Sequence, residues 1–425
     1  MIKKGSIVTV IFIFSTLIQL ISQIVVTRLF GAKLELDIFL AAVSVPTILI
    51  TVIYSTLNDA FLPIFGEMKS KNPKKADSYF FSHLLLLSIL SLVVACILSF
   101  LSPSISYLLY ARRGEMFVKE VATQMFFMSF SLPLAVIATL LGTYFYTLKQ
   151  FYRFPFAQLV GSLTNLTLII TLYQHFGIWA IVIAFIVNIF FQLLFIFPRN
   201  ILSFAYQRIN IKPLLIAWIP LIIGSFAFRS DTLIIRSFAA SLPTGNIVYV
   251  NLISKIFSLA TSVMTINVQI LLLPHLVEYI QKKEFTKVQQ NVRRAKIAAI
   301  GITLATVLLL TILSPIVINL LFIGGKFSQI DAQKTIALLP AFILPAIGWG
   351  VTSVFFQPLL ALKKQLHLAI INIISLAMAL FIGIWIKTIV GPILGITYSL
   401  STLFIINILG SQIIWQIEKN KFPKN

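Results

Sequence analysis

The sequence is poor in charge, in acidic residues and in cysteine. Only 11% of its 425 residues are charged, whereas soluble domains contain about a quarter. Hydrophobic residues make up 59%, so the composition excludes an ordinary soluble protein and predicts a polytopic membrane protein. The single cysteine, Cys96, excludes an intrachain disulfide, and the four histidines are far apart and lack metal-ligand spacing. We therefore expect neither a metal site nor a cofactor.

Lys and Arg outnumber Asp and Glu by 33 to 12, and the placement of the basic residues accounts for the excess. Apolar segments predict about twelve membrane spans, near 6–28, 38–61, 80–101, 122–147, 155–173, 177–197, 213–240, 247–273, 296–314, 334–361, 366–386 and 391–415. With both termini cytoplasmic, the cytoplasmic side holds 22 Lys and Arg and the opposite side holds eight. The positive-inside rule therefore predicts cytoplasmic termini. The charge indicates anionic membrane lipids rather than nucleic acid as partners.

The chain repeats itself at an offset of 211–212 residues. Pro63 and Pro274 lie in similar stretches, Phe61-Leu-Pro-Ile-Phe-Gly-Glu67 and Leu272-Leu-Pro-His-Leu-Val-Glu278, and Leu132-Pro133 matches Leu344-Pro345. Each half holds six predicted spans. We therefore predict an all-α polytopic membrane protein with two pseudo-symmetric six-helix lobes, residues 1–205 and 206–425. Repeat transporters bind substrate between their halves, so we expect the site there.

The seventh and eighth predicted spans carry Arg229, Asp231, Arg236 and Lys255. A charge at bilayer depth costs about 2.5–3.5 kcal/mol on insertion scales, so such residues usually face a bundle interior. The residues fall on two helical stripes, which are Ser225, Arg229, Thr232, Arg236 and Asn251, Lys255, Ser258, Ser262.

These stripes predict a cationic cavity. Its substrate-binding residues are Arg229, Arg236, Lys255, Asn251 and Ser262. The alternative is that Asp231 only neutralises a neighbouring arginine in a structural pair. One carboxylate cannot balance three cations, which favours the cavity. The acids of the predicted outer loops are scattered and form no nucleophile–base group, so we expect a protein that is not an enzyme.

Several motifs resemble those of one transporter family. They are Val26-Thr-Arg-Leu-Phe-Gly-Ala32, Asp37-Ile-Phe-Leu-Ala-Ala42, Asp59-Ala-Phe-Leu-Pro63, Gln269-Ile-Leu-Leu-Leu-Pro274 and Gly325-Lys-Phe327. Together they resemble the MurJ/MviN family of lipid II flippases, in the MOP (MATE-like) exporter superfamily. The resemblance implies a multi-pass protein of the bacterial cytoplasmic membrane that moves an undecaprenyl-pyrophosphate-linked saccharide from the inner to the outer leaflet. Arg28 and Asp37 would frame the outer end of the first hairpin, or only fix that turn.

The chain departs from the family pattern at its cations. Thr16, Ser22 and Ile50 stand where the family typically has arginines, and Lys255 stands for the arginine of the eighth helix. Arg229 and Arg236 would compensate. Asp231 is either a charge partner of these residues or part of a site that couples transport to Na⁺ or H⁺, with the membrane potential as a further driving force.

The sequence leaves three other functions open. A Wzx-like flippase would carry O-antigen, capsule or exopolysaccharide units. A MATE-type antiporter would carry organic cations, which require a net acidic cavity, and the excess of Arg229, Arg236 and Lys255 over Asp231 argues against it. A scaffold of an envelope-synthesis complex would need no charged stripe, so neutralising these cations should leave its function intact.

Overall fold

The structure is a computed structural model that describes residues 2–198, 201 and 204–422. The side chains of residues 2–7, 9, 12, 73, 74, 259, 260, 262–271 and 274 lie outside this description. The α-helices of the described part are α1 (Ile2–Phe30), α2 (Leu34–Ala42), α3 (Ser44–Lys71), α4 (Pro73–Tyr110), α5 (Glu115–Ser129), α6 (Ser131–Thr147), α7 (Arg153–Phe176), α8 (Trp179–Ile196), α9 (Lys212–Phe228), α10 (Asp231–Ala239), α11 (Asn246–Gln281), α12 (Phe285–Val317), α13 (Gln329–Ala337), α14 (Leu339–Ala361), α15 (Gln365–Ile389) and α16 (Pro392–Asn420). A 3₁₀ turn, Ala111–Arg113, follows α4, and a π-helix, Ile318–Phe322, follows α12. The all-α prediction is confirmed.

The described helices are long and apolar enough for a multi-pass membrane protein. Within the described residues, eleven segments have the length and composition to cross a bilayer. Helix α11 covers the predicted eighth span, 247–273, but many of its side chains are outside the description, so that span stays a prediction. Large apolar side chains such as Phe100 (81% exposed) and Leu108 (83% exposed) point away from the protein. Acyl chains rather than water suit such surfaces.

Three predicted spans are each broken into two helices near a proline. Helix α2 ends at Ala42, four residues before Pro46, and α5 ends at Ser129, four residues before Pro133. Helix α13 likewise ends just before Pro340. A proline has no N–H for the carbonyl four residues earlier, and its ring clashes with that carbonyl. The spans predicted at 38–61, 122–147 and 334–361 are therefore helix pairs rather than single helices.

The structure divides into two compact units, residues 1–222 and 223–425. In unit 1 the pairs α7–α8, α3–α6, α4–α6 and α6–α8 pack together. In unit 2 the corresponding pairs α15–α16, α11–α14, α12–α14 and α14–α16 pack together. This matching of helix partners agrees with the sequence repeat. The lobe boundary predicted after residue 205 was defined by the sequence repeat, whereas the two compact units are defined by helix packing. That boundary therefore stays a prediction.

Glycines let the helices of unit 2 approach closely around α9 and α14. A side chain on Gly224 of α9 would meet the backbone and side chain of Ala369 on α15 at 2.9 Å. A side chain on Gly348 of α14 would overlap the ring of Phe404 on α16. Asn372 of α15 donates a hydrogen bond from Nδ2 to the Gly224 carbonyl at 3.0 Å. These contacts fix α9, which leads into the charged turn described below, and α14, which carries Trp349.

Candidate functional site

The predicted seventh span is broken at the position of its charges. The prediction of one helix over 213–240 is wrong, because α9 ends at Phe228 and α10 begins at Asp231. No proline explains this break. Instead, the Asp231 Oδ1 atom accepts a hydrogen bond from the Thr232 N–H at 2.8 Å, and the Ser230 hydroxyl donates to the Phe226 carbonyl at 2.8 Å. A carboxylate that accepts from an N–H in the first turn stabilises a new helix start.

The Asp231 carboxylate is held by neutral donors. Its Oδ2 atom accepts a hydrogen bond from the indole Nε1–H of Trp349 on α14, at 2.7 Å. Among the side chains that the structure describes, no basic nitrogen lies within 4.0 Å of this carboxylate. The structure therefore does not contain the direct ion pair with a neighbouring arginine that one interpretation of the sequence required.

Arg236 and Asn251 form a buried polar contact between α10 and α11. The guanidinium donates from NH2 to the Asn251 Oδ1 atom at 2.8 Å. Arg236 is 5% exposed and Asn251 is 3% exposed. Within the described atoms, Asn251 Nδ2 has no hydrogen-bond acceptor. The amide oxygen accepts from the guanidinium and so orients it, which places a cationic side chain in the interior of unit 2.

The other predicted substrate-binding residues have different surroundings. Arg229 lies exposed in the turn between α9 and α10. Lys255 is exposed on α11, one helical turn beyond Asn251. Ser262 lies outside the residues whose side chains are described. The structure thus brings Arg236 into contact with Asn251, and it places Arg229 and Lys255 at solvent- or lipid-accessible positions of the same unit.

Asp37 of the predicted first hairpin has a distant partner. Arg113, in the 3₁₀ turn after α4, contacts Asp37 with 2.5 Å between NH2 and Oδ2. The Asp37 side chain is fully buried, the Arg113 side chain is 10% exposed, and the guanidinium also lies over the Phe117 ring. Arg28 lies in the last turn of α1, which Gly31 ends with a φ of 67°. These contacts favour a structural role for Asp37, fixing the turn region.

Sequence reasoning missed two residues of unit 2. Trp349 was not recognised as the donor to Asp231, although an indole N–H in an apolar helix needs an acceptor. Lys296 stands at the start of the span predicted at 296–314 and was not named as a site residue, yet it lies 8% exposed inside α12. Its Nζ atom donates to the Gln412 Oε1 atom at 2.5 Å and lies 4.4 Å from the centre of the Phe355 ring. The apolar sequence after Lys296 was the only signal.

Metal-ligating groups do not cluster in the described part of the chain. No group of three or more His, Cys, Asp or Glu side chains there could hold a metal ion.

The hydroxyls of α3 mostly bond to carbonyls of their own helix. For example, Thr51 donates to the Thr47 carbonyl and Thr56 donates to the Val52 carbonyl. Such hydroxyls need no ligand. The charged groups of α10 and α11 therefore remain the candidate site.

Comparison with known proteins places these features in a family. The family model described as "Lipid II flippase MurJ" matches residues 26–422. A probable lipid II flippase MurJ of Borreliella burgdorferi is 24% identical over 391 residues, which cover 87% of this chain and 75% of the relative.

Solved structures agree with the fold. A lipid II flippase MurJ in an inward closed conformation has a TM-score of 0.82 at 19% identity, covering 98% of this chain and 93% of that one. An inward-facing multidrug resistance MATE transporter of the MOP superfamily has a TM-score of 0.75 at 16% identity, covering 96% of each chain. At these identities the structural similarity demonstrates the fold alone.

Proposed function

Because the chain belongs to the MurJ family of lipid II flippases, we propose that it moves lipid II, an undecaprenyl-pyrophosphate-linked saccharide, from the inner to the outer leaflet. One observation in the structure supports the proposal most directly. Arg236 is a buried cation on α10, and its guanidinium donates a hydrogen bond to Asn251. Charged side chains within membrane spans usually mark the path of a substrate or ion, and the pyrophosphate is the anionic part of this substrate.

The chemistry of the head group fits the residues of unit 2. A guanidinium makes two parallel hydrogen bonds to a phosphate, and hydrogen bonds to charged groups contribute about 1.5–3 kcal/mol each. Arg236 and Arg229 can bind phosphate in this way, whereas Lys255 acts as a compact point charge. Asn251 orients Arg236. Ser262 stays in the proposed set as a neutral hydrogen-bonding residue on the helix of Lys255.

The cations of α10, of α11 and of the turn before α10 are especially important for the proposed function of this chain. Thr16, Ser22 and Ile50 are neutral where the family resemblance would place arginines. We assign the corresponding charge to Arg229, in the turn between α9 and α10, and to Arg236, seven residues later on α10. A substrate with an anionic head then meets a site assembled from unit 2 rather than from α1 and α3.

We assign the coupling of transport to Asp231. A carboxylate within a membrane span is a usual place for a transported proton or Na⁺. Its neutral donors, Trp349 and the Thr232 N–H, orient it without an ion pair. We further place the protein in the bacterial cytoplasmic membrane with both termini cytoplasmic, because that orientation follows the distribution of Lys and Arg. The function is transport, with no enzymatic step.

Two other transport functions are less well supported. A Wzx-like flippase for another lipid-linked oligosaccharide would use the same cations, so substrate tests must separate it. A MATE-type antiporter for organic cations conflicts with three cations and one carboxylate in α10, α11 and the turn before them.

The decisive experiment is complementation in cells depleted of their own lipid II flippase. We expect the wild-type chain to restore growth and lipid II translocation. Lys255→Ala and Arg229→Ala should abolish rescue at normal protein level and membrane insertion, and Lys255→Arg should retain it. Arg112→Ala is the matched control, because Arg112 is an exposed arginine of unit 1 outside the site. Full rescue by both alanine variants would refute the cationic site. Failure of the wild-type chain, with correct insertion shown, would indicate a different lipid-linked glycan.

A further inference from the structure

Unit 1 contains a small pocket that the transport proposal does not use. Its volume is about 380 Å³, which is at the lower end for ligand pockets. Residues from the turn before α2, from α2 and from α5 line it, among them Lys33, Leu34, Glu35, Met116, Glu120 and Gln124. The lining thus combines charges of both signs with apolar side chains. Such a lining suits a ligand that is itself zwitterionic at one end and apolar at the other.

Gln124 gives the pocket an unused acceptor. The residue is 1% exposed, and its Oε1 atom has no hydrogen-bond partner within the described part of the chain. Glu120 precedes it by one helical turn, so both side chains lie on the same face of α5. Burying an amide oxygen without a donor is unfavourable, and nearly all buried polar atoms in proteins have a partner. A hydrogen-bond donor from outside the protein would satisfy this atom.

Within the described part of the chain, the two glutamates of the pocket have no basic partner. Among the described side chains, no Lys, Arg or His nitrogen lies within 4.0 Å of Glu35 or Glu120. Asp37, two residues after Glu35, is by contrast buried and paired with Arg113. Of these two acids of α2, Asp37 therefore has a structural role and Glu35 lines the pocket. Lys33 is exposed at the same pocket and makes no ion pair within the described residues.

We propose that this pocket binds the headgroup of phosphatidylethanolamine. The primary ammonium donates to the Glu35 and Glu120 carboxylates and to Gln124 Oε1, and the phosphate faces Lys33. The acyl chains leave past Leu34 and Met116, which are 37% and 71% exposed. Lys33, Leu34 and Glu35 lie at the start of α2, and Met116 lies in the first turn of α5, with Glu120 and Gln124 one and two turns further along. Helix ends are where a lipid headgroup is found at a membrane interface.

The chemistry selects this occupant over two others. A choline headgroup has no N–H and cannot satisfy Gln124 Oε1. Ca²⁺ takes six to eight oxygen ligands, whereas this pocket offers two carboxylates and one amide oxygen, and the ammonium group of Lys33 in its lining repels a cation. The ammonium of phosphatidylethanolamine has three N–H donors for three acceptors. The inference is independent of the substrate proposed for unit 2.

The test measures lipid binding to the purified protein by native mass spectrometry, with thermal unfolding in nanodiscs as a second readout. We expect phosphatidylethanolamine to bind more tightly than phosphatidylcholine or phosphatidylglycerol. Glu35→Gln with Glu120→Gln should weaken binding of phosphatidylethanolamine about tenfold or more, because charge-assisted hydrogen bonds are lost. Glu115→Gln is the matched control, since Glu115 is an exposed acid in the first turn of the same helix.

Three results would overturn the proposal. The first is equal binding of the three lipids by the wild-type protein. The second is unchanged preference in the double variant. The third is a thermal shift produced by CaCl₂ without lipid and lost in the double variant, which would identify a cation site instead. Gln124→Leu provides a second variant: it should lower the preference for phosphatidylethanolamine while leaving the folded state at least as stable, because the orphaned oxygen is gone.

Discussion

The ion pair between Asp37 and Arg113 should be one of the most stabilising side-chain contacts of unit 1. The pair joins α2 to the turn after α4, 76 residues further along the chain. Its carboxylate is completely buried and its guanidinium nearly so. Removing one partner of a buried pair leaves a desolvated charge, which costs about 3–5 kcal/mol. Arg113→Ala should therefore destabilise the protein strongly.

The expected loss of folding free energy can be converted into a decrease in melting temperature. A domain of 150–250 residues loses about 2–4 °C per kcal/mol, so Arg113→Ala should lower the Tm of unit 1 by roughly 6–20 °C. The only thiol of the chain, Cys96, lies in α4 of the same unit. A thiol-reactive dye therefore reports the unfolding of this unit in detergent or nanodiscs.

Two comparisons make the test specific. Lys71→Ala removes an ion pair whose side chains are 73% and 68% exposed, and it should leave the Tm unchanged within error. Asp37→Leu with Arg113→Met replaces the pair by apolar side chains, and it should recover most of the lost stability because no charge remains buried. A drop for Arg113→Ala no larger than that of the control would refute the reasoning, as would a double variant whose loss equals the sum of the single losses.

Other predictions concern unit 2 and are checked by thermal unfolding. Gly348→Ala should destabilise the protein by about 1–3 kcal/mol, because the new methyl group overlaps the Phe404 ring. Gly301→Ala has open space around the new methyl group and should stabilise its helix by about 1 kcal/mol. Equal effects of the two substitutions would contradict this reasoning. Lys363 has a φ of 58°, so Lys363→Gly should stabilise by about 1–2 kcal/mol and Lys363→Ala should not. Trp349→Phe removes the indole donor of a carboxylate and should cost about 1.5–3 kcal/mol; no loss would mean that water replaces this donor.

Local rules in the sequence could have given more of the fold than they did. The breaks after Ala42 and Ser129 lie four residues before a proline, which lacks the N–H that would continue the helix. Pro63 and Pro103 lie inside unbroken helices, so a proline marks a candidate break and does not by itself establish one. Periodicity alone hides these breaks, since apolar residues continue through them. The all-α class and its many spans needed only composition and segment length.

The candidate site was predicted in part. The charges of α10 and α11 stood out because charges are rare in spans, and Arg236 does contact Asn251. Their partners could not be predicted, because they depend on which helices pack together. Trp349 is 118 residues from Asp231, and Arg113 is 76 residues from Asp37. No local sequence pattern encodes contacts between residues so far apart along the chain. A single sequence shows only that each buried polar group needs some partner.

Asp231 illustrates how a carboxylate in a predicted span of unit 2 is held by neutral donors. A carboxylate between two arginines would ordinarily be expected to pair with one of them and cancel its charge. Here its two oxygens accept from the Thr232 N–H and the Trp349 indole, both neutral donors. The Thr232 contact lies in the first turn of α10, which follows the turn that holds Arg229 and carries Arg236. The acid thus organises the positions of the cations without neutralising them by direct contact, and an anionic head group requires this arrangement in the proposed transport.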